Sequence, residues 1–162
     1  RPIKEVFLKP GSCKPTRNAL KAIQEAEIIS IGPGSLYTSI LPNLLVEGIP
    51  EAIRESEAVK VYICNIMTQP GETTGYTVSD HIQAIDKHVG PDLFDWVIVN
   101  REQGSEKLLK KYEKDGAFPV EIDKDKLQQM GVKIIEEELL SGNDFFFHYS
   151  EKTAEKILEL VR

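Results

Sequence analysis

Three short runs, Ile28-Ile29-Ser30-Ile31, Val61-Tyr62-Ile63-Cys64 and Trp96-Val97-Ile98-Val99, are almost unbroken in apolar residues. They recur at intervals of about thirty residues, the length of a strand–helix–strand unit. A strand with one wet face alternates polar with apolar, whereas a run without alternation is covered on both faces. The expected class is therefore α/β, a doubly wound, mostly parallel sheet with helices on both faces.

The rest of the chain fits that rhythm. Strands are expected at residues 4–8, 27–31, 60–65, 95–100, 119–122 and 132–136. Helices are expected at 17–26, where Leu20, Ile23 and Ala26 share a face, and at 78–89, where Ile82, Ile85 and Val89 do. Thr77 and Asp80 have capping-box spacing ahead of the second of these. Residues 105–114 carry Leu108, Leu109 and Tyr112. A last helix from about residue 151 carries Ala154, Ile157, Leu158 and Val161, the stripe of an amphipathic helix. Between residues 35 and 56, Pro42 and Gly48-Ile49-Pro50 break the helical pattern into two or three short pieces.

Composition narrows the function classes. The chain has 162 residues, enough for one domain with a real core. No apolar run approaches the roughly 18 residues of a membrane span. A net charge of −6 argues against general nucleic-acid binding, which needs a basic stripe. The two cysteines, Cys13 and Cys64, form no CxxC pair, a usage that fits a reducing cytoplasm. The first residues, Arg1-Pro2-Ile3-Lys4, lack an initiator Met and the layout of a signal peptide, so the chain reads as a piece of a longer protein.

Ligands of open parallel sheets bind outside the carboxyl ends of the strands. That rule selects three loops. After the second expected strand come Gly32, Pro33, Gly34, Ser35, Leu36, Tyr37, Thr38 and Ser39. Two glycines allow close backbone approach, and amides following Ser35 would open a helix, so the loop reads either as a phosphate cradle or as a tight turn with a serine cap. It lacks the Gly-Lys-Ser/Thr of a P-loop and the third glycine of the dinucleotide fingerprint. Residues 65–77, Asn65 to Thr77, form a polar loop too long for a plain connection. It reads either as a ligand contact or as an exposed connector; its one acid, Glu72, suits a sugar hydroxyl, a metal or plain solvation. Asn100 ends the fourth strand as Asn65 ends the third, and either both amides converge on one crevice or each closes a turn.

The histidines add no catalytic or metal site. His81 and His88 share a helix edge, but seven residues is about 10.5 Å of rise, too far for one ion. His148, beside Phe145, Phe146 and Phe147, reads as a packed side chain. No catalytic residue is assigned.

The segment from Gly32 to Val46, with Asn65-Ile66-Met67-Thr68-Gln69-Pro70-Gly71-Glu72-Thr73, resembles the C-terminal half of the YvcK-type proteins (gluconeogenesis factors). These are relatives of CofD, the 2-phospho-L-lactate transferase. The resemblance covers nearly the whole chain. It implies a three-layer Rossmann-like fold, and that residues 1–162 are the C-terminal half of a CofD/YvcK-like domain, with the N-terminal half and its glycine-rich loop absent.

It further implies a cytoplasmic regulator that binds UDP-N-acetylglucosamine or a similar nucleotide-linked ligand. Such a regulator influences cell-wall precursor supply and cell shape through a partner enzyme of that synthesis, and a homo-oligomer is compatible with it. The implied alternative is a CofD-like transferase moving a phosphoryl-linked group onto an alcohol, with Mg²⁺ held by the other half. On this chain the resemblance assigns ligand binding to Gly32, Gly34, Ser35, Asn65, Thr68, Gln69, Glu72, Thr73 and Tyr112; Tyr37, Thr38 and Asn100 join these candidates by their place in the loops at the carboxyl edge. Tyr112 stands in Tyr-x-x-x-Gly-x-x-Pro-Val, although its spacing from Leu108 and Leu109 also suits core packing. Near the C-terminus relatives commonly read Arg-His-Asp, and here Phe147-His148-Tyr149 stands instead.

Overall fold

The computed structural model describes residues 3–141 and 146–161. Four strands, β1 (Ile28–Ile31), β2 (Val59–Ile63), β3 (Trp96–Asn100) and β4 (Lys133–Glu137), form one sheet in the order β1-β2-β3-β4. Every pairing is parallel, with Ile31 opposite Tyr62, Ile63 opposite Ile98 and Asn100 opposite Glu137. The three apolar runs are thus neighbours, and their carboxyl ends open on one edge.

Successive side chains of a strand point to opposite faces. One face, with Ile29, Ile31, Tyr62, Cys64, Val97 and Val99, packs on the larger core. That core takes Ile23 from α1 (Arg17–Glu25), Leu41 and Leu44 from α2 (Leu41–Leu44), Ile53 from α3 (Ile49–Glu55), Ile82 and Ile85 from α4 (Val78–Val89), and Leu127 from α6 (Lys124–Gln129). The other face, with Ile28, Val61, Trp96, Ile98 and Ile135, meets Ile157 of α7 (Ser150–Leu158) and Leu160 of the closing 3-10 turn. The result is helix, sheet, helix, as the unbroken runs require. α5 (Glu106–Lys114) inserts Leu108 into the interior, and a small antiparallel pair, β5 (Leu140–Ser141) and β6 (Phe147–His148), leads into α7.

Capping follows the sequence. The Thr77 hydroxyl accepts the Asp80 amide and the Asp80 carboxylate accepts the Thr77 amide, a complete capping box at α4. Thr16 and Ser105 cap α1 and α5 in the same way through their hydroxyls.

Two expected strands are corrected. Residues 4–8 form no strand: the Val6 amide donates to Nε2 of His88 at 3.1 Å, and the Lys4 carbonyl accepts Nζ of Lys87 at 3.0 Å. The segment lies along α4 rather than in the sheet. Residues 119–122 also stay out of it, making one isolated bridge to Met67 through Pro119 and one to Thr77 through Glu121. Pro119 has no amide to donate, which keeps this stretch from a full ladder. α6 was not expected from the sequence, because Leu127 is its one buried residue.

Candidate functional site

The turn after β1 is forced into shape by Gly32, whose φ is +88°. A Cβ there would stand 2.7 Å from the Ile63 carbonyl oxygen, so the end of β1 lies directly against the end of β2. Gly34 has no left-handed φ; a Cβ on it would meet Cβ of Ser39 at 3.3 Å. The chain then enters a π-helical turn over Leu36–Ile40 that runs straight into α2. The first amides to bond back are those of Ser39 and Ile40, both onto the Ser35 carbonyl. The amides of Leu36, Tyr37 and Thr38 precede them and are the orphan donors that every helix start presents.

Side chains join this turn to the second loop. The Gly34 amide donates to Oδ1 of Asn65 at 3.3 Å, and Nε2 of Gln69 donates to the Ser35 hydroxyl at 2.7 Å. The hydroxyls of Tyr37 and Tyr76 are 2.8 Å apart. Burial raises the Tyr37 hydroxyl above the ordinary phenol range, and the bond to Tyr76 and the Glu72 carboxylate push the same way. Tyr37 is therefore a neutral donor and acceptor. Gly34, Ser35, Tyr37, Asn65 and Gln69 are brought into one corner at the carboxyl edge.

The remaining candidates divide. Thr68 is buried; its amide donates to the Phe118 carbonyl at 2.7 Å and its hydroxyl accepts the Phe118 amide at 2.9 Å. Thr73, fully buried, accepts the Gln69 amide at 2.9 Å. Both hydroxyls shape the loop. Asn100 spends its amide on the Glu102 carbonyl at 2.7 Å and on the Leu139 amide at 2.9 Å. Those bonds correspond to the turn-closing reading of Asn100 rather than convergence with Asn65.

Thr38 is exposed on the π-helical turn. The Tyr112 hydroxyl accepts the Phe146 amide at 3.1 Å, and the two rings meet edge to face at 5.0 Å. Oε1 of Gln69 and Oε2 of Glu72 are buried without a hydrogen-bond partner among the described residues. Nε2 of His148 meets the Cys64 carbonyl at 3.1 Å, the packed histidine expected, and burial lowers its pKa. Phe145 and the Phe147 side chain lie outside the described residues.

Two participants escaped the sequence. Tyr76 pairs with Tyr37, and its only signal was being the aromatic residue of a polar loop. Asp123 accepts the Thr77 hydroxyl at 2.8 Å together with the amide and hydroxyl of Ser79, tying the loop's end and α4 to α6. Among the described residues no three His, Cys, Asp or Glu side chains gather as a metal site. No helix among the described residues is long and apolar enough to cross a membrane.

Residues 1–140 match the family described as "2-phospho-L-lactate transferase CofD". The chain is 52% identical over 158 residues to a protein named "Gluconeogenesis factor" from Halalkalibacterium halodurans, covering 97% of this chain and 49% of that one. It is 44% identical over 161 residues to the "Gluconeogenesis factor" of Bacillus subtilis, covering 99% of this chain and 51% of that one. A crystal structure of a UPF0052 family member from Bacillus halodurans superposes with a TM-score of 0.94 at 52% identity, over 97% of this chain and 51% of that one. The chain spans about half the length of the relatives it matches.

Proposed function

The chain belongs to the CofD family, and on that premise we propose that it supplies half of the site of a nucleotide-sugar-binding regulator. The observation that carries this reading is the junction of the two loops, Gly34 to Asn65 and Ser35 to Gln69, at the carboxyl edge of a parallel sheet. The orphan amides after Ser35 suit a phosphate, whose charge this acidic chain must hold by local donors. Gln69 and Glu72 each keep a buried acceptor unmet, which costs about 1–3 kcal/mol until a donor arrives. Sugar hydroxyls are such donors. A phosphate flanked by a hydroxyl-rich group is the chemistry of UDP-N-acetylglucosamine, and the relatives' name of gluconeogenesis factor fits a regulator of carbon flow into cell-wall precursors and cell shape. Such a regulator would act in the cytoplasm on a partner enzyme.

A second reading, transfer of a phosphoryl-linked group onto an alcohol, draws on the description of the matched family.

The test is nuclear magnetic resonance titration of this chain with millimolar UDP-N-acetylglucosamine. Amides of residues 32–39 and 65–77 should shift, and Gln69→Ala should abolish the response while leaving the sheet's resonances in place. Shifts confined to other edges of the sheet, or an undiminished response in Gln69→Ala, would overturn the reading.

A further inference from the structure

His88 sits in the last turn of α4 with both ring nitrogens engaged. Nδ1 is 2.6 Å from the Ala84 carbonyl oxygen, which can only accept. Nε2 is 3.1 Å from the Val6 amide nitrogen, which can only donate. Nδ1 must therefore carry the proton and Nε2 the lone pair, one particular tautomer of the neutral ring. Protonation would set a second N–H against the Val6 N–H, and an imidazolium has no acceptor to offer.

We propose that residues 3–6 form a pH-sensitive strap, latched by neutral His88 across the cavity beside Tyr37. The adjacent Lys87 holds the same strap by donating to the Lys4 carbonyl at 3.0 Å. The cavity, about 510 Å³, is walled by Ile3 and Lys4 on one side and by Tyr37, Tyr76, Gln83 and Ala84 on the others. The strap is thus one wall, and loosening it opens a path to the Tyr37–Tyr76 pair from the side of α4. The His88 ring also meets Tyr37 edge to face at 6.2 Å, which links the latch to the π-helical turn.

Charged and titratable groups facing His88 come from every element around it. Lys4 lies on the strap, Asp80 and Lys87 on α4, and Tyr37 on the π-helical turn. Glu47 and Glu51 line the cavity on the other side of the ring. Asp80 is committed to the Thr77 amide and Lys87 to Lys4, so neither replaces the lone pair that Val6 uses. Apolar contacts of Ile3 and Val6 with the core remain when the latch fails, so the strap loosens without unfolding the domain.

A closed strap excludes the second proton, so acid favours the open strap. Protection of the Val6 amide against hydrogen exchange, corrected for intrinsic rates, should therefore fall about tenfold between pH 7.5 and 5.5, while β2 amides keep their protection. Lys87→Met should lower Val6 protection at both pH values and leave the ratio intact, whereas His88→Ala should abolish the ratio. An unchanged Val6 protection between pH 7.5 and 5.5 would overturn the proposal. So would a tenfold ratio that persists in His88→Ala.

Discussion

Replacing Gly32 with alanine separates turn strain from ligand contact. Its φ of +88° lies where an L-residue pays about 1–2 kcal/mol, and the new Cβ would sit 2.7 Å from the Ile63 carbonyl oxygen. That oxygen belongs to the sheet backbone and cannot swing away, so the ends of β1 and β2 must part. The two effects together should cost about 2–4 kcal/mol. At roughly 2–4 °C per kcal/mol for a chain of this size, the melting temperature should drop by about 4–16 °C. Gly34→Ala is the control. It needs no left-handed backbone and meets Cβ of Ser39 at 3.3 Å, so it should cost about 1 kcal/mol or less. Urea denaturation followed by circular dichroism measures both, with an unchanged slope as the check on two-state behaviour. A Gly32→Ala loss below about 0.5 kcal/mol, or a Gly34→Ala loss equal to it, would refute the argument.

Two further predictions concern carboxylates. Burial pushes the Asp123 pKa up, but hydrogen bonds from Ser79 and Thr77 outweigh it and hold the carboxyl below its ordinary value. Its stabilisation is therefore present above about pH 4 and lost as pH falls through the lowered value; Asp123→Ala should cost about 2–3 kcal/mol at pH 7 by orphaning three donors, and its unfolding curve should converge with the parent's in acid. Asp86 is the opposite case: burial first, then the nearby Asp92, raise it to about 6 against the opposing Arg54. A raised carboxyl destabilises the fold above its folded pKa and relieves that as pH drops from about 6 toward 4, so Asp86→Asn should stabilise at pH 7.5 by on the order of 1 kcal/mol after solvent screening and lose the gain at pH 4.5, as thermal melts would show.

The sheet was legible because Val61-Tyr62-Ile63-Cys64 and Trp96–Asn100 are covered on both sides, a constraint each run shows by itself; in Ile28–Ile31 the polar residue, Ser30, is exposed. Residues 4–8 and 119–122 carry short apolar stretches broken by charged residues or proline, and neither pairs with a strand of the sheet. Val6 takes a histidine nitrogen and Pro119 brings no donor, both facts of tertiary placement. α6 escaped because its polar hexapeptide is held by Asp123 at its start and one buried leucine. At the candidate site the loops were visible as glycine and polar clusters. The Ser35–Gln69 and Tyr37–Tyr76 contacts were not, since pairs more than thirty residues apart leave no periodic trace.

A half-site must bind its ligand more weakly than the complete site does. The most direct measurement is calorimetric titration of UDP-N-acetylglucosamine into this chain and into the full-length relative from Halalkalibacterium halodurans, in one buffer with and without Mg²⁺. A micromolar complex corresponds to about −8 kcal/mol, and losing about 4 kcal/mol of contacts from the other half carries it to about millimolar. Micromolar binding is expected for the relative and about thousandfold weaker binding for this chain. Equal affinities would contradict this, because this half would then hold the whole site.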